Sequence, residues 1–190
     1  METRRLTVDD RPVVILDDAI VDPMFGEFVH FILNNAAFMP SQTDTQESLL
    51  MTGSYWAYKI RKDVFVNTPI YTELLELTKK HISDLSWDLI EAYVNSNQYG
   101  ENSYIHKDGN TYDNAVTCLV YLNETWSPDF AGETLFYNND NDAIVVTSPK
   151  FKRIVIFDGQ ISHRASPPSR ICSTKRLVLV VKFGANGVKE

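Results

Sequence analysis

The sequence predicts a mainly β fold with flanking helices (α+β), a jelly roll or sandwich with two N-terminal helices packed on one outer face. Two observations carry this reading. Apolar residues recur at helical spacing only before about residue 87, and after it short runs rich in Val, Ile, Tyr and Phe alternate with clusters of Gly, Pro, Asn and Asp. No repeat, low-complexity tract or linker divides the 190 residues. The chain is therefore expected to form one domain (1–190), with 1–87 as a helical support region and 88–183 as the jelly-roll core.

Taking the elements in order, Phe25, Phe28, Val29, Ile32 and Leu33 recur three and four residues apart and predict a helix over 22–38, with Asp22 as its cap. Residues 40–52, rich in Ser, Gln, Thr and Asp, read as a loop that could close over a site. Ile70, Leu74, Leu77 and Ile82 trace an apolar stripe behind Pro69 and predict a second helix over 67–84. Strands are expected near 88–95, 103–108, 115–122, 132–137, 143–148, 153–157, 161–165 and 175–183.

Composition narrows the function. With 18 basic and 25 acidic residues the net charge is −7, a field that repels phosphate backbones and anionic membrane surfaces. Basic clusters such as Lys150, Lys152 and Arg153 read as solvated faces. The two cysteines, Cys118 and Cys172, fit neither a disulfide framework nor a zinc site. The first ten residues are polar and no apolar run suits a signal peptide or membrane span, so a cytoplasmic location is expected.

Chemistry concentrates in Tyr104-Ile105-His106-Lys107-Asp108-Gly109. Residues two apart on a strand project from one face, so the His106 imidazole and the Asp108 carboxylate could bind one metal ion together. By itself His-x-Asp reads more readily as a solvated turn running into Asp108-Gly109-Asn110. His163 changes the balance, because it follows the apolar run 154–157 and the turn Asp158-Gly159-Gln160, and a jelly roll can bring it opposite that pair. Two histidines and one carboxylate leave about three coordination positions open and suit non-haem Fe(II). Arg176 then opens the apolar strand Leu177-Val178-Leu179-Val180-Val181. A guanidinium there needs a partner, and its planar fork fits the far carboxylate of a dicarboxylate that chelates the metal at its other end. Lys175 alternates to the opposite face and ranks second; a surface salt bridge is the plain alternative for Arg176.

Taken together, Tyr99-Gly100, His106-x-Asp108, Leu119-Val120-Tyr121-Leu122-Asn123, Ala131-Gly132-Glu133-Thr134-Leu135-Phe136, Pro149-Lys150, Ile156-Phe157, His163 and Arg176 resemble, in order, the Fe(II)- and 2-oxoglutarate-dependent dioxygenases, and within them the prolyl 4-hydroxylase-like branch. The resemblance covers 88–183. It implies a double-stranded β-helix, iron bound by His106, Asp108 and His163 as the catalytic set, and 2-oxoglutarate held by Arg176. It also implies O₂ as cosubstrate, ascorbate as an accessory, and hydroxylation of an unactivated C–H bond, on a prolyl residue of a peptide or protein, with release of succinate and CO₂.

Departures from the family pattern refine these expectations. Prolyl 4-hydroxylases usually carry lysine at the Arg176 position. Val178 stands where Arg-x-Ser relatives have a hydroxyl, so a second donor to the cosubstrate falls to Tyr104 or Tyr121. Ala131 replaces the first glycine of the common Gly-Gly-Glu-Thr turn, Thr134 reads as structural, and Trp126 lies in a loop that could border the mouth of the barrel. Two other readings remain: a non-enzymatic jelly-roll binding module, and a cupin-type metalloenzyme in which Arg176 contacts substrate.

Overall fold

In the computed structural model, which describes residues 2–21, 23, 25–41, 55–109 and 114–185, the last strand shows how the layers form. Its Leu-Val-Leu-Val-Val run is apolar on both faces, the pattern of a strand covered on two sides. This strand, Arg176–Ala185, is buried at every residue except Lys182. Leu177, Leu179, Val181 and Phe183 belong to a core shared with the helices, while Val178 and Val180 belong to a second core between two sheets.

In chain order the elements are β1 (Glu2–Val8), β2 (Arg11–Asp17), α1 (Phe25–Asn35), β3 (Met39–Ser41), β4 (Tyr55–Ile60), α2 (Lys62–Phe65), α3 (Pro69–His81), β5 (Asp88–Asn97), β6 (Asn114–Tyr121), β7 (Thr134–Tyr137), β8 (Ala143–Thr147), β9 (Ile154–Asp158), β10 (Ser162–Ala165) and β11 (Arg176–Ala185). An eight-stranded sheet has the order β1-β2-β9-β6-β11-β5-β4-β3, and a three-stranded sheet has the order β10-β7-β8. Neighbouring strands in both pair antiparallel, for example β11 with β5 and β6, and β7 with β8 and β10. This is the expected jelly-roll architecture.

The helices form where the apolar stripes demand. In α3 the Thr68 hydroxyl accepts from the Tyr71 amide at 3.3 Å, Pro69 occupies the first turn, and Lys79 and Lys80 complement the C-terminal dipole. Its Ile70 and Leu74 join Phe25, Val29 and Ile32 of α1 over Val116, Cys118 and Val120 of β6. Asp22 and most of 40–52, where the cap and the loop are expected, lie outside the described residues. Among the described residues no helix is long and apolar enough to cross a membrane.

Two expectations are corrected. Residues 1–87 are not simply helical, since β1 and β2 precede α1, β3 and β4 separate it from α2 and α3, and the four strands extend both edges of the large sheet. Edge strand β1 is exposed at Glu2 through Thr7, so no core face imprints an alternation on its sequence. The second concerns 103–108, which is not a strand. His106 alone bridges His163, and the chain then bends as the amides of Asp108 and Gly109 both donate to the Gly159 carbonyl at 2.9 Å.

Candidate active site

The bend after His106 and the start of β10 bring three ligating side chains to one end of the space between the sheets. One ligand atom each from His106, Asp108 and His163 lies within 4.8 Å of the others. His106 Nε2 is 3.7 Å from Asp108 Oδ1, and His163 Nε2 is 3.4 Å from Asp108 Oδ2. Each Nδ1 is engaged by a main-chain carbonyl two residues back, that of Tyr104 for His106 at 2.8 Å and that of Ile161 for His163 at 3.0 Å. A carbonyl only accepts, so each Nδ1 carries the proton and each Nε2 keeps its lone pair, as a metal ligand requires.

Electrostatics favour a neutral imidazole beside a charged carboxylate. Burial among Phe136 and Phe157, whose ring centroids lie 6.0 and 4.7 Å away, pulls the His163 pKa down to about 4. Burial opposes the charge on Asp108, but His163, Lys182, His106 and the Thr117 hydroxyl outweigh it and hold the carboxyl at about 2. Thr117 Oγ1 donates to Asp108 Oδ2 at 2.7 Å, and Lys182 Nζ lies 3.1 Å from Oδ1.

A cavity runs from these groups to Arg176, walled by Tyr93, Asn95, Ser103, Thr134 and Val178. Arg176 is 2% exposed, and burial pulls its pKa below the ordinary guanidinium value while Tyr121 works the other way. Its Nε donates to the Gly132 carbonyl at 2.6 Å and its Nη2 to Thr134 Oγ1 at 3.0 Å. The guanidinium lies 5.3 Å from the Tyr121 ring centroid, and the Tyr121 hydroxyl bonds Thr134 Oγ1 at 2.8 Å and Thr147 Oγ1 at 3.0 Å. Gly132 makes this approach possible, because at φ +83 a Cβ would meet Arg176 Cδ at 3.1 Å and Trp126 Cζ2 at 3.0 Å.

The sequence-derived candidates thus sort themselves. His106, Asp108, His163 and Arg176 share one cavity. Tyr121 reaches Arg176, whereas Tyr104 offers its carbonyl to His106 and is not among the cavity's lining residues. Lys175 is exposed, just before β11, and is not among the cavity's lining residues. Trp126 is not among the cavity's lining residues; its Nε1 donates to the Ala131 carbonyl at 2.8 Å and its ring lies against the Gly132 turn. Thr134, Asn95, Tyr93 and Lys182 were not anticipated at the site. Strand alternation carried the signal for Lys182, which lies on the same face of β11 as Arg176.

The fold has known counterparts. Residues 94–183 match the family described as the 2OG-Fe(II) oxygenase superfamily. That segment, just under half of the chain, is similar to members of this superfamily. Its members use Fe(II), 2-oxoglutarate and O₂. Among solved structures, a Trichoplax adhaerens prolyl hydroxylase in complex with a hypoxia-inducible-factor peptide fragment is 18% identical with a TM-score of 0.71, covering 91% of this chain and 83% of that one. A Pseudomonas putida prolyl-4-hydroxylase is also 18% identical, with a TM-score of 0.56 and coverage of 86% and 100%. HygX from Streptomyces hygroscopicus, solved with nickel, 2-oxoglutarate and hygromycin B, is 12% identical with a TM-score of 0.64 and coverage of 91% and 82%. A comparison with curated proteins found no match.

Proposed function

We propose that this oxygenase is a hydroxylase with His106, Asp108 and His163 as its iron ligands and Arg176, aided by Tyr121, as the anchor for the far carboxylate of 2-oxoglutarate. The proposed substrate is a prolyl residue in a peptide or protein. The reading rests on one observation: three convergent ligand atoms within 4.8 Å and a buried arginine line a single cavity.

The donor set suits the metal. Two imidazoles with free Nε2 atoms and one anionic carboxylate match a divalent non-haem iron site with open positions. With the cosubstrate and O₂ bound, that iron supplies the oxidising chemistry, and succinate and CO₂ are released. The chain's own residues set the geometry. The guanidinium, already fixed by Gly132 and Thr134, offers directional donors to a carboxylate and so orients the cosubstrate along the cavity. Phe136 and Phe157 exclude water from the His163 side. The prolyl assignment draws on the likeness to two prolyl hydroxylases, against which stands HygX, solved with hygromycin B bound.

Anaerobic titration of Fe(II)-loaded protein with 2-oxoglutarate tests the site, through the weak visible charge-transfer band of bidentate chelation. The band is expected in the native protein and absent in His163→Ala; well-folded, iron-loaded native protein without a band overturns the reading. A proline-containing peptide library, scanned by mass spectrometry for gain of one oxygen, tests the substrate class. Succinate formation stimulated only by non-prolyl compounds would reassign it.

A further inference from the structure

One transverse row of the large sheet is built around Asp108. Glu91 on β5, Lys182 on β11 and Thr117 on β6 are direct register partners. Thr117 serves one carboxylate oxygen of Asp108 and Lys182 the other, at 2.7 and 3.1 Å. The ammonium is itself held, with Glu91 Oε1 at 2.8 Å and the Tyr93 ring centroid at 5.5 Å, and its side chain is only 17% exposed. Lys182 thus places an ammonium directly against the carboxylate of Asp108.

We propose that Lys182 is a positioning residue that tunes the metal: it fixes the orientation of the Asp108 carboxylate, withdraws charge from it, and thereby biases the site toward Fe(II) over Fe(III). The inference rests on the ligand assignment above. A carboxylate clamped through both oxygens has little freedom to turn, and outer-sphere partners of this kind govern ligand basicity and metal affinity. A nearby cation repels a trivalent ion more than a divalent one. Glu91 partly offsets that cation and so sets how much of it the metal feels. The opposing charges on one row make the effect adjustable in both directions.

The test is the Fe(III)/Fe(II) midpoint potential of iron-loaded protein, read by mediated titration in which the mediator donates the single electron that reduces Fe(III). Lys182→Met is expected to favour Fe(III) at least tenfold relative to native protein, a shift of about 59 mV to more negative potential. Lys182→Arg should recover most of that shift, and Glu91→Gln should move the potential the opposite way. A lysine that merely neutralises a buried acid would leave all three potentials at the native value, which would overturn the proposal. Should Lys182→Met fail to fold, Glu91→Gln decides alone: no positive shift refutes the tuning role. Mn(II) binding separates the two readings, since a native protein that binds no Mn(II) fails at the ligand assignment, whereas normal Mn(II) binding with unmoved potentials fails here only.

Discussion

Asn123 grips the backbone on both sides of Arg176: its Nδ2 donates to the Lys175 carbonyl at 2.8 Å and its Oδ1 accepts from the Leu177 amide at 2.8 Å. The residue that aims the arginine therefore sits on the segment just past β6 and never enters the cavity. Replacing it leaves the Leu177 amide without its partner, a loss of about 1–3 kcal/mol. Asn123→Ala should raise the KM for 2-oxoglutarate roughly tenfold with a smaller change in kcat, since a tenfold effect corresponds to about 1.4 kcal/mol. Steady-state kinetics with varied cosubstrate check this; an unchanged KM would mean that Arg176 holds its place without Asn123.

The outer partners of Asp108 should matter less than the ligand itself. Thr117→Val removes the hydroxyl that donates at 2.7 Å and keeps the shape, so metal affinity should fall about 10–100-fold. Asp108→Ala should fall further and abolish succinate formation. Calorimetric titration with Mn(II), paired with a succinate assay, measures both. Equal losses in the two variants would contradict the ordering.

Ala131 carries φ 54 and ψ −141, a region that side chains other than glycine's avoid. Its carbonyl must nevertheless accept from Trp126, so the turn before Gly132 cannot relax without moving the support of Arg176. Ala131→Gly is expected to stabilise the protein by about 1 kcal/mol, despite the added freedom of the unfolded chain. Urea unfolding would show a higher midpoint with an unchanged slope; a lower midpoint would indicate that the turn bears no strain.

Asp17, at the end of β2, joins the large sheet to the turn before β9. Arg153 donates to its two oxygens at 2.7 and 2.9 Å, and Lys150 at 3.0 Å. The Arg153 hydrogen bonds outweigh burial and, with Lys150, hold the Asp17 carboxyl at about 2, below its ordinary 3.8. A depressed carboxyl stabilises the fold fully above pH ~4, and that contribution disappears as pH falls through 2. Its size is about 2 kcal/mol for a shift of this extent. Asp17→Asn should therefore flatten the acid limb of the stability curve between pH 4 and 2, measured by thermal melts across that range.

Much of this architecture was readable in advance, for identifiable reasons. From β5 onward the strands are covered by a core on at least one face, and burial writes itself into the Val and Ile runs of β6, β9 and β11. The N-terminal strands were missed because β1 is exposed on both faces, while the Val13-Val14-Ile15-Leu16 run of β2 did carry the mark of a buried strand. At the site, His106, Asp108, His163 and Arg176 stood out by residue type. Thr134 did not, since a threonine on a strand has an ordinary explanation, and Lys182 was marked only by its alternation with Arg176 along β11, a weak signal for a lysine near a strand's end.

The two faces of β11 also constrain how this protein can change. Arg176, Val178, Val180 and Lys182 point into the space between the sheets, and the intervening Leu177, Leu179 and Val181 point at the helices. A single residue inserted between Val178 and Val180 would rotate everything beyond it by half a pleat, sending Lys182 into the oil beneath α1 and α3 and a bulky aliphatic toward Asp108. Drift along this strand must then proceed by replacement rather than by gain or loss of length, and any lineage that does alter its length has to surrender the cation, the core, or both at once.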